Sequence, residues 1–354
     1  MTDATYDVII LGQGLAGTTL GWALHRQGLR ICLIDPDREA TASRIAAGLV
    51  TPITGKRFSL TWQYDRFLVE AVDFYRGIEA LTAATFFSPR EHERLFVTSR
   101  ELQDFEARLA RDPGVAKHSV PGISAESRGR LTCPLGGFTM PTAGQLNVRN
   151  YLNASRVFFQ ERNSYRAAEI SCEEIELGQS GVGIPRLGLF ASRLIFCRGA
   201  EDRGNPWFPR IRFLPAQGEI LTLSVDYPLD RVLHRQVWLA PGEDGTVYAG
   251  STYAWDRLDG MPTLSGREEI CRKLAEFFPY PCEVIAHQAA IRPALHDQRP
   301  VLGMHPRWSR LGIMNGLGSK GSLQAPWLAR HFAEHLAQGT PLDPELDVQR
   351  KYPP

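Results

Sequence analysis

Three glycines near the start of the chain have the spacing of a phosphate-binding turn. Gly12, Gly14 and Gly17 form a GxGxxG pattern that directly follows the apolar run Tyr6–Leu11. In such a turn the first glycine permits a tight bend, the second lets a pyrophosphate approach the backbone, and the third lets the following helix pack closely. A helix N-terminus also presents N–H groups to an anion. The pattern therefore predicts a strand, a turn and a helix that together hold a dinucleotide.

The residues after the turn strengthen this prediction, because a glycine pattern alone is common by chance. The expected helix, with Leu15 and Ala16 in its first turn, is followed by a second apolar strand at Arg30–Ile34. That strand stops at Asp35, about 20 residues after the glycines, where an acid accepts hydrogen bonds from the ribose hydroxyls. A carboxylate there repels a 2′-phosphate, so FAD or NAD is favoured over NADP.

Small residues dominate the next loop. Ser43 and Arg44 offer a hydroxyl and a cation for the phosphates, while Ala46, Ala47 and Gly48 let the backbone pass close to a flat ligand. The alternative is a tightly packed helix start, because small residues also mark close packing.

A second glycine-rich turn lies near the other end of the chain. The apolar run 311–315 enters it, and a helix is expected at 322–336; the turn contains Gly316, Gly318, Ser319, Lys320 and Gly321. A further apolar strand, 193–198, ends at Gly199. Because the carboxyl ends of parallel strands meet at one edge of a sheet, we expect the strand end at Gly199 to touch the cofactor.

Composition sets broad limits on the function. The 354 residues are 43% hydrophobic and 22% charged, with a net charge of +1, which is typical of a globular protein of roughly two domains. A net charge this close to zero does not indicate binding to nucleic acid or to an anionic membrane surface. The six cysteines show no metal-like spacing, so we expect no metal site. No secretory leader or membrane span is apparent, and we expect a cytoplasmic enzyme.

The order of elements predicts an α/β fold with two interleaved domains. We assign residues 1–84, 141–212 and 287–354 to a nucleotide-binding domain. Residues 85–140 and 213–286, where hairpin patterns predominate between 215 and 285, form a substrate domain. Within the first domain, Arg156–Gln160 and the segment near Ile170 and Ile175 are expected to be strands.

Seven segments in order resemble the D-amino-acid-oxidase-like (DAO) superfamily of FAD-dependent amine oxidoreductases. This group includes glycine oxidase, sarcosine oxidase and the oxidase domain of the tRNA-modifying enzyme that makes methylaminomethyl-thiouridine. The segments are GQGLAG with Asp35, ASRIAAGL at 42–49, LIFCRGA at 194–200, PAQGEIL at 215–221, VYAGST at 247–252, IRPALHDQRPVLG at 291–303 and NGLGSKGSLQAP at 315–326.

The resemblance implies a Rossmann-like FAD domain of the GR2, doubly wound type and a discontinuous α+β substrate domain built on an antiparallel sheet. It places Ser43 to Gly48 under the flavin, Gly199 near the cofactor, and Gly316 to Gly321 facing the pyrimidine side of the ring, where a helix N-terminus stabilises negative charge. Arg292 matches an arginine that clamps the substrate carboxylate, and Lys320 matches a lysine with the same task in some members.

The implied reaction is transfer of hydride from the carbon beside an amine to flavin N5, giving an imine that water hydrolyses. The position at which some sarcosine oxidases attach flavin through cysteine is occupied by Arg292 or Pro293, so noncovalent FAD is expected. The electron acceptor, oxygen or another, is left open, as is the role of the segment from Lys56–Arg57 to Tyr64.

Alternatives remain at this stage. Arg292 as a structural ion pair and Lys320 as a solvated turn residue are the simpler interpretations of the two cations. For the whole protein, the alternatives are an NAD-dependent dehydrogenase, a flavoprotein scaffold or electron-transfer partner, and an enzyme acting on a modified tRNA base. The near-zero net charge argues against the last of these.

Overall fold

The computed structural model describes residues 4–352. Its strands are β1 (Ala4–Leu11), β2 (Ile31–Asp35), β3 (Leu49–Val50), β4 (Ile53–Thr54), β5 (Ser59–Leu60), β6 (Phe87–Pro89), β7 (His92–Leu95), β8 (Val120–Pro121), β9 (Gly137–Met140), β10 (Gly144–Leu146), β11 (Tyr165–Ala167), β12 (Glu176–Leu177), β13 (Val182–Ile184), β14 (Leu189–Phe196), β15 (Ala216–Val225), β16 (Val232–Arg235), β17 (Val237–Pro241), β18 (Val247–Gly250), β19 (Cys282–Arg292), β20 (Val301–Met304) and β21 (Leu311–Asn315). Its α-helices are α1 (Leu15–Arg26), α2 (Tyr64–Thr82), α3 (Ser99–Arg111), α4 (Pro113–His118), α5 (Ala125–Arg130), α6 (Val148–Glu161), α7 (Leu264–Ala275) and α8 (Gly321–Gln338).

The first sheet is built around β1. Strands β11, β2, β1, β14 and β21 are parallel neighbours in that order, while β12, β13 and β20 pair antiparallel at the margins. In β1 the residues from Val8 to Leu11 are at most 2% exposed. A strand buried on both faces needs a continuous apolar run rather than alternation, which is the pattern its sequence has.

Helices cover one face of this sheet. Val8 and Ile10 point toward α1, α2, α6 and α8, whereas Ile9 and Leu11 point to the opposite face, as the two-residue period of a strand requires. The opposite face packs on Phe208 and on a C-terminal 3₁₀-helix at Val348–Lys351. The glycine turn of β1 therefore opens onto a sheet edge with a well-packed core behind it.

One expected strand is wrong. Arg156–Gln160 is the C-terminal part of helix α6, not a strand. Phe158 and Phe159 pack on Trp22, with ring centroids 4.3 Å and 5.1 Å away, and Trp22 Nε1 donates to Ser155 Oγ at 2.8 Å. A short β-branched and aromatic run resembles a strand locally, but its buried positions follow helical spacing from Val148 onward.

The segment near Ile170 and Ile175 also differs from the expected strands. Its described backbone is a loop with a 3₁₀-helix at Cys172–Glu174, flanked by the short strands β11 and β12. Ile170 and Ile175 are nevertheless buried against the first sheet. Their apolar character reflects burial of a loop rather than strand formation.

The second sheet is antiparallel except for one pair. Its order is β19, β15, β18, β17, β16, β7, β9 and β8, with β7 and β16 parallel. One face packs on α7 through Ile270 and Leu274. Its strands come from 92–140 and 216–292. Strand β19 crosses the boundary placed at residues 286 and 287, and the division into two domains stays a prediction. The α/β class with sheets of mixed orientation is confirmed.

Two small elements connect these layers. Strands β3, β10 and β6 form a three-stranded sheet, and β4 pairs with β5 as a hairpin. Phe58, near the hairpin tip, is fully buried among Phe96, Phe105 and Phe138. Within residues 4–352, no helix has the length and apolar character needed to cross a membrane.

Candidate functional site

A cavity of about 1040 Å³ lies between the two sheets. Strand ends of the first sheet contribute Leu11, Asp35 and Asn315, and the second sheet contributes Ile220 and Ala290. This location, at the carboxyl edge of parallel strands, is where open α/β sheets bind ligands. The volume is at the upper end of the roughly 300–1,000 Å³ of small-molecule sites, so it has room for a large cofactor.

The first glycine turn has the geometry that its sequence predicts. Gly12 has φ = 100°, and a Cβ there would lie 2.6 Å from the carbonyl oxygen of Cys197. A Cβ on Gly17 would lie 1.8 Å from the carbonyl oxygen of Gly12. Any side chain at either position would collide with backbone, so the turn and the close approach of α1 both require glycine. Gly12 and Gly14 line the cavity, whereas Gly17 acts in packing behind it.

Asp35 is fixed at the cavity wall by backbone donors. Gln13 N donates to its Oδ2 at 2.7 Å and Asp37 N donates to its Oδ1 at 2.8 Å. Each carboxylate oxygen has a further lone pair. The side chain is therefore oriented and still able to accept hydrogen bonds from a bound diol.

Ser43 closes the first turn from the other side. Its Oγ accepts a hydrogen bond from Leu15 N at 3.0 Å, and it would contact a Cβ on Gly14 at 3.1 Å. Since Gly14, the N-cap of α1, has no side chain to cap the helix, Ser43 supplies that acceptor. The Ser43 hydroxyl, which was predicted to contact the phosphates, is thus held at the N-terminus of α1. Ala16, in the first turn of that helix, also lines the cavity.

Arg44 lines the cavity but is already paired. Its Nη2 lies 2.6 Å from Asp37 Oδ1, and Arg156 pairs with the same carboxylate. Arg156 also donates to Gln13 Oε1 at 2.8 Å. This network, which the sequence did not reveal, ties α6 to the glycine turn and surrounds the carboxyl end of β2 with cations.

The small-residue loop is held against β10. Gln145 Nε2 donates to Ala47 O at 3.0 Å, and Leu146 N donates to Gly48 O at 2.9 Å. Ala46, Ala47 and Gly48 all line the cavity. Their backbone forms a wall at the position where the flat ligand is expected.

A buried polar network joins the two late strand ends. Asn315 Nδ2 donates to Gly199 O and to Asp202 Oδ2, both at 2.9 Å. Asp202, 2% exposed, also accepts from Arg198 N at 3.1 Å and Arg198 Nε at 2.9 Å. Asn315 Oδ1 in turn accepts from Gly316 N. Asn315 and Asp202 were not predicted as site residues, although Asn315 adjoins Gly316 and Asp202 lies three residues after Gly199.

The second glycine turn brings most of its predicted residues to the cavity. Gly318, Ser319, Lys320 and Gly321 line it, as does Gly199 after β14. Gly316 does not; a Cβ there would lie 2.7 Å from Leu295 Cγ, so it serves packing under the turn. Lys320 is the N-cap of α8 and has no side-chain capping bond. The N-terminus of α8 therefore faces the cavity with its positive dipole end.

Arg292 lies at the cavity wall where β19 ends. Its Nη2 donates to Ser251 Oγ at 2.6 Å, and its guanidinium lies 4.5 Å from the ring centroid of Tyr253. Thr252 O is within 3.5 Å. Among the described residues Arg292 has no carboxylate partner. Its burial lowers the pKa, but an arginine remains charged.

A second network supports the Arg292 contacts. Thr252 Oγ1 accepts from Glu219 N at 2.9 Å, and the buried Glu219 carboxylate accepts from Thr263 N and Thr263 Oγ1 at 2.9 and 2.8 Å. His287 Nε2 lies 2.8 Å from Glu219 Oε2. These bonds fix the loop from Ser251 to Thr263 against the sheet.

Two histidines also line the cavity, and the sequence analysis did not select them. His92 on β7 and His234 on β16 lie on the same face of the parallel pair. His92 Nδ1 lies 3.0 Å from Thr51 Oγ1. Burial lowers the pKa of each histidine to about 3, so both are neutral polar groups at physiological pH.

These features together fit a dinucleotide. The glycine cradle, an oriented carboxylate with free lone pairs and two helix N-termini share one cavity with Arg292 and Lys320. A pyrophosphate needs the cradle and a helix N-terminus, and a ribose needs the carboxylate. Arg292 and Lys320 are not needed to bind the pyrophosphate or the ribose, so they are available to bind another ligand.

The comparisons with known proteins agree with this geometry. The pattern of the family described as DAO, FAD dependent oxidoreductase, matches residues 7–335. A glycine oxidase of Pseudomonas aeruginosa is 24% identical over 360 residues, which cover 95% of this chain and 96% of the relative. A tRNA 5-methylaminomethyl-2-thiouridine biosynthesis bifunctional protein MnmC of Marinobacter nauticus is 25% identical over 373 residues, which cover 95% of this chain but 56% of that protein.

Solved structures show the same fold. A glycine oxidase of Geobacillus kaustophilus superimposes with a TM-score of 0.80 at 20% identity, covering 96% of this chain and 97% of that chain. An iminodiacetate oxidase of Chelativorans sp. BNC1 gives 0.78 at 20% identity, with 95% and 96% covered. The resemblance inferred from the seven sequence segments is confirmed.

Proposed function

Because the chain belongs to the DAO family of FAD-dependent oxidoreductases, we propose that it oxidises the carbon–nitrogen bond of an amino acid or secondary amine that carries a carboxylate. The enzyme class and the use of FAD follow from the family. Membership of this family excludes the alternative of an NAD-dependent dehydrogenase, which the first glycine turn alone had left open. The substrate and the bond that reacts are the proposal.

One observation carries this proposal. Arg292 and Lys320 both line the cavity, and within residues 4–352 neither forms an ion pair with a carboxylate. Partly buried cations normally have an anionic partner, because leaving water without one is costly. A substrate carboxylate would supply the missing charge. The planar guanidinium of Arg292 suits two parallel hydrogen bonds to such a group.

The remaining site residues have supporting roles in this proposal. The glycine cradle with Ser43 and Asp35 would hold the pyrophosphate and ribose of FAD, and the loop from Ala46 to Gly48 would lie against the flat ring. When bound, FAD supplies the acceptor for the hydride equivalent that leaves the substrate. The N-terminus of α8 would stabilise negative charge near it. The chain itself binds and orients the amine.

A modified tRNA base is the second candidate substrate. It is favoured by the MnmC relative, which aligns with 95% of this chain although the chain spans only 56% of that protein. The net charge of +1 supplies little general attraction for a polyanion. A tRNA substrate would therefore need contacts beyond charge.

A direct experiment is to mix purified protein with single amines in the absence of oxygen and follow the bleaching of the bound flavin. The panel contains glycine, N-methylglycine, iminodiacetate and larger amino acids, each paired with its decarboxylated amine. Faster bleaching by the carboxylated member of a pair supports the proposal. Bleaching by none of them, combined with bleaching by tRNA from cells, would support the second candidate instead.

A further inference from the structure

The hairpin β4–β5 contacts Lys320 through two threonines. Lys320 Nζ donates to Thr54 Oγ1 at 2.9 Å and to Thr61 Oγ1 at 2.8 Å. Thr54 ends β4, and Thr61 directly follows β5. Its second half, with Thr61, lies in the segment from Lys56 to Tyr64, to which the sequence analysis assigned no role, and Thr54 lies two residues before that segment.

The two threonines leave the ammonium one donor for a ligand. An ammonium has three N–H groups, and two are used by the hydroxyl oxygens. Thr61 Oγ1 donates its own proton to Thr51 O at 3.0 Å, so its lone pairs face Lys320. Since Thr54 and Lys320 line the cavity, the third donor is available to a group bound there.

The threonines are held rigidly by the rest of the hairpin. Phe58 is buried in an aromatic cluster, and Arg94 donates to Gly55 O at 2.9 Å while stacking on the Phe58 ring at 4.3 Å. Thr61 is 2% exposed, and its N–H bonds Pro52 O at 2.7 Å. The hairpin therefore spans from the core under the second sheet to the N-terminus of α8.

The charged groups on the elements around Lys320 do not neutralise it. Arg94 is paired with Glu101, Asp65 at the start of α2 is paired with a lysine of α4, and Lys56–Arg57 is exposed at the hairpin tip. Burial lowers the pKa of Lys320 to about 8. Neutral hydroxyl acceptors stabilise the ammonium without cancelling its charge, which a carboxylate would do.

We propose that Thr54 and Thr61 are positioning residues that keep the Lys320 ammonium charged and directed into the cavity, where it selects a substrate with an anionic group. The statement that Lys320 selects an anionic substrate rests on the proposed function. The statement that the threonines keep the ammonium charged and directed into the cavity does not depend on that function. In this proposal the hairpin affects substrate selection through Lys320. Thr61 itself does not contact the substrate.

The first test measures the Lys320 ammonium directly in the FAD-bound protein. The lysines are few, Lys56, Lys117, Lys273, Lys320 and Lys351, so a protein labelled with ¹³C-lysine gives resolvable ε-carbon signals, and Lys320→Met identifies the relevant one. The double variant Thr54→Val/Thr61→Val keeps the side-chain shape but removes both acceptors. Its Lys320 should titrate at a pH about one unit or more lower than in the wild type, a tenfold or larger change in proton affinity.

The second test measures selection. In the same double variant, the preference for a carboxylated amine over its decarboxylated analogue in anaerobic flavin reduction should fall roughly threefold or more at pH 7.5, because a pKa lowered from about 8 by about one unit leaves about a third as much of the ammonium charged. Thr54→Ser/Thr61→Ser, which restores the hydroxyls, should recover both the titration and the preference. Thr82→Val is the matched control, because the Thr82 hydroxyl bonds only Ile78 O within α2.

The outcomes separate the two proposals. An unchanged titration of Lys320 in the double valine variant, with FAD content retained, overturns the positioning role whatever the substrate is. A shifted titration with no carboxylate preference in the wild type keeps the positioning of the ammonium but rejects the proposed function. If the double variant loses FAD, the single Thr61→Val and Thr54→Val variants decide the same question.

Discussion

The guanidinium of Arg292 lies directly against the backbone of Gly218. A Cβ built on Gly218 would come within 2.0 Å of Arg292 Nη2 and 2.3 Å of its Cζ. Gly218 pairs with Ala290 on the neighbouring strand β19, two residues before Arg292. The absence of a side chain at Gly218 is therefore what allows Arg292 to lie flat on the second sheet and reach Ser251.

Gly218→Ala should impair substrate binding without removing FAD. The added methyl would displace the guanidinium, so the affinity for a carboxylated amine should fall by about tenfold or more, the scale of a disrupted charge-assisted bond. The decarboxylated amine should be affected much less. Gly129→Ala, at a position with open space around the new methyl, is the control. Equal losses for both amines would indicate general damage to the sheet.

Arg292→Lys and Lys320→Met should both weaken selection for an anionic substrate. Lysine at 292 keeps the charge but loses the two-pronged geometry, and methionine at 320 removes the charge. Removing one member of a buried charged pair typically costs about 2–5 kcal/mol, on the order of thirtyfold to several-thousandfold in affinity. Flavin reduction by a carboxylated amine and by its neutral analogue measures the effect. If the two substrates lose equally, neither residue clamps a carboxylate.

Asp35→Ala should weaken retention of FAD. The carboxylate orients the turn through Gln13 N and has lone pairs directed at the cavity, and losing hydrogen bonds to a charged group costs about 1.5–3 kcal/mol. Asp35→Asn, which keeps one oxygen acceptor, should be intermediate. The flavin remaining after dialysis gives the measurement, and the thermal unfolding of the apoprotein checks the fold. Full occupancy in Asp35→Ala would refute the ribose assignment.

FAD should be bound without a covalent bond. The family resemblance implies that Arg292 or Pro293 stands where some sarcosine oxidases attach flavin through a cysteine, and neither residue has a thiol. Precipitation of the purified protein with acid should release all the yellow colour into the supernatant, whose absorption spectrum and mass identify FAD. Colour retained in the pellet would contradict this prediction.

Lys320→Met should stabilise the protein at neutral pH while impairing selection. The folded pKa is about 8, below the ordinary value of about 10.4, so the unfolded chain binds the proton more tightly. Stability therefore rises as pH increases from about 8 to about 10.4, and below pH 8 the buried charge is unfavourable on the order of 1–3 kcal/mol. Urea unfolding of both proteins should show a difference that shrinks between pH 7 and pH 9.5. The exposed Lys56→Met is the control, and a destabilised Lys320→Met would contradict the assignment.

Local sequence patterns predicted the parts of this molecule that are local in the chain. The turn from Gly12 to Gly17 lies between β1 and α1 as expected, and Asp35 ends β2. The strand expected at Arg156–Gln160 failed because a five-residue window could not show the helical period of the whole α6.

Contacts between distant segments could not be predicted in this way. Thr61 meets Lys320 across more than two hundred residues, and Asp202 meets Asn315 only because β14 and β21 are neighbours in the first sheet. Nothing in the type of either threonine distinguishes it from other threonines of the chain. The contact between each threonine and Lys320 depends on the fold. The part of the candidate site proposed to select the substrate depends more on such long-range contacts than the glycine turn does.

The position of Gly12 against Cys197 has a consequence for the order of events during protein synthesis. The glycine turn leaves the ribosome well before Cys197, which directly follows β14, and helix α8, which packs on α1, emerges later still. Until then β1 lacks one neighbour and the apolar face of α1 lacks its cover. The nucleotide site therefore cannot be completed until α8 has emerged, and β1 needs shielding from aggregation throughout that interval.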